Sequence, residues 1–278
     1  MSVDRALEAV GSWFPETEAL NLGGGFPVAR MPGEPRADLT RLGEYARRRF
    51  EEFAQRTGQR LIMEVEPGTL LVAGAGFLLT SVLERRKGAG RDVMEFVVVD
   101  GGMDCLLRPM LYGSSHPFSV VSAEGRLLSA EGTTACGTEF GKMVVVGVCC
   151  ETGDCLTLDC RGTPVARSMA RPDRGDFLVV GGAGAYGSTM SVSGYNSRLQ
   201  APEVLVGSSG DIRLCRKRQS LLQLVQNERG LEAGGNGRAF SSDRMYEALS
   251  GAAGRSPGGQ LDRQLSRDSP GPDGDAPA

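Results

Sequence analysis

Apolar residues recur at helical spacing over residues 3–14, where Val3, Leu7, Val10 and Phe14 share a face. They do so again over 38–57. There Leu39, Leu42, Tyr45, Ala46, Phe50 and Phe53 form one stripe, and Arg41, Arg47, Arg48, Glu51 and Glu52 fill the opposite face. Asp38 is placed to cap the second helix. A short apolar stretch, Ala19–Leu22, runs into Gly23-Gly24-Gly25. A second, at 60–65, runs into Glu66-Pro67-Gly68, where the proline must end a strand. The first 68 residues therefore predict α-β-α-β, the rhythm of a parallel sheet or a (β/α) barrel. A whole barrel takes about 250 residues, so two such units make only part of one.

After residue 69 the period shortens. Strands are predicted at 70–82, 95–100, 143–148, 155–158, 177–180, 204–206 and 212–214, short, Val-rich and punctuated by Gly and Pro. A closing helix is predicted over Gln219–Asn227, with Leu221, Leu222 and Val225 on one face. From about Gly230 the chain turns to Gly, Ser, Pro, Asp and Arg, a composition that cannot bury a core and predicts disorder, with one helical turn at Arg244–Leu249. The expected fold is α/β plus all-β: a partial barrel at 1–68, a β-sandwich or β-barrel domain at 69–229, and a disordered tail at 230–278.

Composition narrows the function. Hydrophobic residues make up 40% of the 278, enough for a core, and the net charge of -3 supplies no basic field for nucleic acid. No run of about 20 apolar residues is present to span a membrane. Asp4 and Glu8 and the lack of an apolar stretch argue against a secretory or transit peptide, so a cytoplasmic protein is expected. The seven cysteines lack the Cys-x-x-Cys spacing of a zinc site, and the sole histidine is His116; free thiols are expected. Of 31 basic residues only Lys87, Lys142 and Lys217 are lysine.

Several short stretches carry possible chemistry. Gly23-Gly24-Gly25 after a strand lets backbone N–H groups approach a phosphate, although triple glycine is commonly a plain turn. Glu66, at the C-terminal end of the second strand, stands where a barrel keeps its active site; it equally suits a surface carboxylate before a turn. Arg108, with Tyr112 on the following turn, can clamp a carboxylate or simply sit in a loop. Cys150-Glu151 after a Val-rich strand offers an acid and a ligand for an amine, or a buried thiol. Tyr186, in Gly-Ala-Tyr-Gly, can bond a phosphate or pack at a tight turn.

Their order is more specific than any one of them. The series LNLGGGFPV, EPGTLLVAGAGFLLTSV, VVVDGGMDCLLRPMLYGSSH, VCCETGD, GDFLVV, GAYGSTM, YNSRLQAPEVLV and RKRQSLLQLV, from about Ala6 to Asn227, resembles the diaminopimelate decarboxylase family of alanine-racemase-like fold. The resemblance implies the last two strand–helix units of a pyridoxal-phosphate-binding (β/α)8 barrel followed by a β domain. It implies decarboxylation of meso-2,6-diaminopimelate to L-lysine, the last step of lysine biosynthesis, by a homodimer with shared active sites. It also implies residue roles: Gly23, Gly24 and Gly25 hold the cofactor phosphate, Glu66 keeps the pyridine nitrogen protonated, Arg108 and Tyr112 contact substrate, and Tyr186 contacts both. Cys150 becomes the proton donor to the partner's site, and Glu151 the contact to the far end of the substrate.

The sequence departs from the family at Thr69, where Glu-Pro-Gly is followed by Arg in the relatives. Laid on the family, Met1 falls just before the seventh barrel strand, ahead of which lies the Schiff-base lysine, and none of Lys87, Lys142 or Lys217 is expected at the end of a barrel strand. Three readings are open at this point: a diaminopimelate decarboxylase, a non-catalytic relative that lends Cys150 and Glu151 to a dimer partner, and a decarboxylase of the ornithine or arginine type.

Overall fold

The computed structural model describes residues 3–88, 94–133 and 138–228. They fall into two compact units, the first ending at Arg198 and the second beginning at Leu199. The predicted tail and its helical turn at Arg244–Leu249 lie outside the described residues.

The first unit opens with the expected alternation: α1 (Val3–Trp13), β1 (Ala19–Asn21), α2 (Leu39–Thr57) and β2 (Ile62–Glu64). Asp38 caps α2 by accepting from the Arg41 N–H at 3.0 Å, and Gly58, left-handed at φ 76°, ends it. Leu7, Val10 and Phe53 form the buried centre between the helices, with Val3, Leu20, Phe50 and Leu61 around them. Across that contact Asp4 accepts from Tyr45 (2.9 Å) and pairs with Arg49. β1 and β2 run parallel, Leu20 opposite Met63, so both strands point their C-terminal ends the same way.

The stretch predicted as a strand over 70–82 begins instead as a short helix, α3 (Gly68–Val72), and a 3-10 turn at Ala73–Ala75; only then does β3 (Leu78–Lys87) begin. A short apolar run has no periodicity to separate helix from strand, and Pro67 at the helix N-cap favours the turn that starts α3. β4 (Glu95–Val99), α4 (Arg108–Tyr112), β5 (Phe118–Val121), β6 (Leu127–Ala130), β7 (Phe140–Val146), β8 (Arg167–Ala170) and β9 (Phe177–Val180) follow. The residues at 155–158 form only isolated bridges, Val146 to Cys155 and Leu158 to Pro164, rather than a strand.

Seven strands make one sheet in the order β6-β5-β9-β3-β4-β7-β8. All neighbours are antiparallel except β4 and β7. β3 changes partner along its length: Leu78–Ser81 pair with β9 and Val82–Lys87 with β4, across a register shift between Val82 and Glu84. The sheet curls until its end strands meet, where the Ala170 N–H on β8 donates to Ser129 Oγ on β6 at 3.0 Å. It is a nearly closed barrel of the predicted kind. Alternate residues point inward: Val97 and Val99 of β4, Phe118 and Val120 of β5, Leu178 and Val180 of β9, with Met143, Leu106 and Leu156. At the start of β4 the inward Glu95 is neutralised by a two-pronged pair with Arg171, at 3.0 and 3.1 Å.

The second unit holds a hairpin, β10 (Glu203–Val206) with β11 (Ile212–Arg216), and a helix α5 (Leu221–Val225). The predicted closing helix is shorter than the stretch 219–227 because Ser220 and Gln223 form a capping box that fixes its start.

His116, fully buried, bridges the sheet to the loop after β9. Its Nδ1–H donates to the Gly181 carbonyl at 2.8 Å, so Nε2 is left to accept from Ser114 Oγ at 3.3 Å. Burial pushes its pKa down to about 4, with the charges of Arg30 and Arg108 adding to the effect against the Gly181 bond.

Two outcomes follow for stability. Leu178→Ala should cost about 2–5 kcal/mol in denaturant unfolding, whereas exposed Leu127→Ala should stay within about 0.5 kcal/mol. Because His116 is harder to protonate folded than unfolded, the unfolded chain binds the extra proton. Stability from this group is complete above pH 6.5 and drains away toward pH 4, by about 3 kcal/mol in all. His116→Gln should flatten that part of the stability–pH curve; an unchanged slope would refute the assignment.

Candidate functional site

The parallel ladder of β1 and β2 continues past both strands. Leu22 N–H donates to Glu64 O at 2.9 Å, and Glu66 N–H to Gly23 O at 2.8 Å. These bonds bring Gly23–Gly25 and Glu66 together at one end of the ladder. Gly24 must be glycine here: a Cβ would stand 2.2 Å from the Glu66 carbonyl. Gly23 and Gly25 have φ of 74° and 81° and open space where their side chains would be, so a ligand can reach this backbone. Asn21 sets the corner, accepting from the Gly23 N–H (2.7 Å) and donating to Glu66 Oε1 (2.9 Å). The Glu66 carboxylate is thus held but exposed.

Tyr186 arrives from the loop after β9. That loop lies directly on the turn that follows α3: Ala183 and Gly184 N–H groups donate to the Gly76 and Ala73 carbonyls at 2.9 and 3.1 Å. A Cβ on Gly184 would fall 2.0 Å from the Val72 carbonyl, so only glycine allows the approach. Two residues on, Tyr186 takes a left-handed backbone (φ 61°), a costly conformation for a bulky residue that the packed loop imposes. Its hydroxyl lies 3.9 Å from where a side chain on Gly68 would begin, two residues beyond Glu66. Arg108, at the start of α4, sits over both tyrosine rings, 5.0 Å from the centroid of Tyr112 and 5.7 Å from that of Tyr186. About half of each tyrosine faces solvent. The fold therefore brings Glu66 onto Gly23–Gly25, the Tyr186 hydroxyl toward Gly68, and Arg108 onto Tyr112 and Tyr186, from four separate parts of the chain.

Cys150 and Glu151 lie elsewhere, on the loop after β7. Buried Asp154 organises it: its carboxylate accepts from the Cys149 and Met103 N–H groups, each at 2.7 Å. Asp104, also buried, pairs with Arg198 at 3.0 Å, which also reaches the Asp100 carbonyl. Of the adjacent cysteines, Cys149 is buried and its thiol is pushed up to about 11 by burial and by Asp154. Cys150 is exposed, its N–H donating to Asn196 Oδ1 at 3.0 Å. Glu151 accepts from Tyr195 at 3.3 Å. Met110 of α4 packs against Gly153, so the helix that carries Arg108 also abuts this loop. Among the described residues no hydrogen bond or ion pair joins Cys150 or Glu151 to Glu66, Arg108 or Tyr186.

Sequence reading gave no role to Arg30, His116, Asp104 or Asp154. Asp154 stood within a quoted motif, but a buried anchor and a solvated turn residue look alike in sequence. Lys87 closes the end of β3 and Lys142 lies within β7, both on the sheet.

The chain is similar to known proteins in sequence and in fold. Residues 37–184 match the model of the pyridoxal-dependent decarboxylase C-terminal sheet domain. Diaminopimelate decarboxylase of Escherichia coli K12 is 37% identical over 213 residues, 77% of this chain and 48% of that protein. A crystal structure of diaminopimelate decarboxylase superposes with a TM-score of 0.69 at 34% identity, covering 81% of this chain and 51% of the other. The Helicobacter pylori enzyme complexed with L-lysine gives 0.63 at 27% identity, covering 81% and 48%. The chain spans about half the length of the relatives it matches. Among the described residues no helix is long and apolar enough to cross a membrane. With its sheet domain matched over more than half its length, this chain belongs to the pyridoxal-dependent decarboxylases.

Proposed function

We propose that this chain is the C-terminal half of a cytoplasmic, homodimeric diaminopimelate decarboxylase that releases carbon dioxide from meso-diaminopimelate and leaves L-lysine. The observation that carries the reading is a glycine-lined backbone beside an exposed carboxylate, with a guanidinium stacked on the tyrosine whose hydroxyl approaches Gly68. L-lysine in the Helicobacter pylori relative fits the same product. So does the two-stranded parallel ladder, whose Ile62, Met63 and Val65 are exposed; parallel strands are ordinarily covered on both faces.

The residues fit pyridoxal phosphate. Gly23 and Gly25 leave their backbone open to a phosphate, and Asn21 holds Glu66 where it can keep a ring nitrogen protonated. Bound there, the cofactor supplies an electron sink for the pair left when carbon dioxide departs. Arg108 would fix a substrate carboxylate, with Tyr112 and Tyr186 walling the space and excluding water. Cys150, an exposed thiol beside a protonated, buried neighbour, would deliver the proton to the carbon, and Glu151 would take the distal amine. Since no bond ties these two to Arg108 or Tyr186 within one chain, we assign them to the active site of the partner subunit. The amine that anchors the cofactor aldehyde is assigned to the part of the relatives outside the matched half.

Purified from its native cells with whatever it assembles with, the protein should convert meso-diaminopimelate to L-lysine and carbon dioxide in equal amounts. Cys150→Ala should lower kcat about 10²–10⁴-fold with the melting temperature unchanged. Carbon dioxide from ornithine or arginine alone would move the substrate to those diamino acids. Turnover of none of the three would leave the non-catalytic dimer partner.

A further inference from the structure

Two guanidinium groups near Tyr186 have buried N–H donors with nothing to receive them. One is Nη2 of Arg30 and the other Nε of Arg108. Arg30 comes from the loop after Gly25 and is held by its Nε, which donates to the Gly182 carbonyl at 3.2 Å, four residues before Tyr186. Arg108 reaches the same region from α4 and stacks on Tyr112 and Tyr186. Among the described residues neither arginine enters an ion pair. The carboxylate that acts on Arg30 is Glu34, but its Oε2 is spent on the Arg30 and Met31 N–H groups at 2.8 and 3.1 Å. The arginines are close enough to affect each other: burial lowers the Arg30 pKa first, the charge of Arg108 lowers it further, and Glu34 opposes both.

Like charges brought together and partly desolvated destabilise a fold unless something of opposite charge joins them. A buried donor left unpaired adds to that cost. Here both penalties fall on Arg30, held on the Gly182 carbonyl, and an unpaired donor falls on Arg108, stacked on Tyr186. A guanidinium presents planar, forked N–H groups that match the two oxygens of a carboxylate or phosphate. From this geometry we infer that Arg30 and Arg108 form a two-guanidinium clamp for the oxyanion of a small molecule bound beside Tyr186. Arg30 is then a second cationic contact that the sequence motifs do not mark. The identity of the molecule rests on the proposed decarboxylase reading; its anionic group is either an amino-acid carboxylate or the cofactor phosphate.

The test is isothermal titration of the full chain, separately with meso-diaminopimelate, pyridoxal 5'-phosphate and inorganic phosphate. Arg30→Gln should weaken binding of the clamped molecule about tenfold to a hundredfold. Arg30→Lys should restore part of it, by returning the charge without the fork. Arg108→Gln, which leaves the Arg30–Gly182 contact in place, should weaken the same molecule, and exposed Arg36→Gln none of them by more than about twofold. A loss confined to diaminopimelate identifies the carboxylate; a loss shared by pyridoxal phosphate and inorganic phosphate identifies the phosphate. Affinities unchanged in Arg30→Gln, with a wild-type melting curve, overturn the clamp, as does a wild-type chain that binds none of the three. Phosphate binding lost in Arg30→Gln from a protein that decarboxylates nothing would keep the clamp and remove the decarboxylase reading. Turnover of diaminopimelate with unchanged affinities in Arg30→Gln would do the reverse.

Discussion

The candidate site hangs on one backbone-to-backbone contact, that of residues 182–184 with the turn after α3. Gly184 lies where any side chain would strike the Val72 carbonyl, and two hydrogen bonds to Ala73 and Gly76 lock the approach. The cations and rings around Tyr186 are attached to that loop. Gly181 receives His116, Gly182 receives Arg30, and Tyr186 is forced into its left-handed backbone beside Arg108. Moving the loop by the width of a methyl group would release all four at once, because closely packed interiors transmit small displacements rather than absorb them.

A second anchor of different chemistry supports the Cys150 loop. There a buried carboxylate, Asp154, gathers N–H groups from two loops, and burial, reinforced by that charge, keeps Cys149 protonated. Neighbouring cysteines are thereby given opposite settings by one turn: one inert and internal, the other presented outward. The glycine contact positions cations and aromatic rings, while the aspartate positions a thiol and a carboxylate. α4 is wedged between them, with Arg108 on one side and Met110 against Gly153 on the other.

How much of this the sequence discloses depends on the range of the interaction. Gly23–Gly25 and Glu66 are legible because each directly follows a short strand, and strand ends are where such residues act. Asp38 as a helix cap is legible for the same reason, since its bond reaches three residues. Arg108, Tyr112 and Tyr186 stand out only through the order of several motifs. Arg30 and His116 are invisible, because what fixes them is a carbonyl at 181 or 182, 152 residues away for Arg30 and 65 for His116. The misplaced start of β3 has another cause: Leu70–Val82 is apolar almost throughout, and only Pro67 and the contact with residues 183–184 reveal the turn before the strand. Strands β5, β6 and β8 escaped notice because a serine interrupts each four-residue run, whereas β9, equally short, is apolar throughout.

The sheet order has a consequence for how such a chain is made. β9 lies between β5 and β3, and Leu78 pairs with Val180. A ribosome delivers the strands in sequence, so β3 waits with a bare edge while the chain from residue 88 to 176 emerges, and β5 while residues 122–176 do, before the strand that joins them. Long-range pairing of this kind folds slowly, and unpaired edges invite association with other chains meanwhile. The glycine-rich segment that follows immediately after β9 would then close onto the completed sheet, so the geometry around Tyr186 would be among the last features of this unit to form.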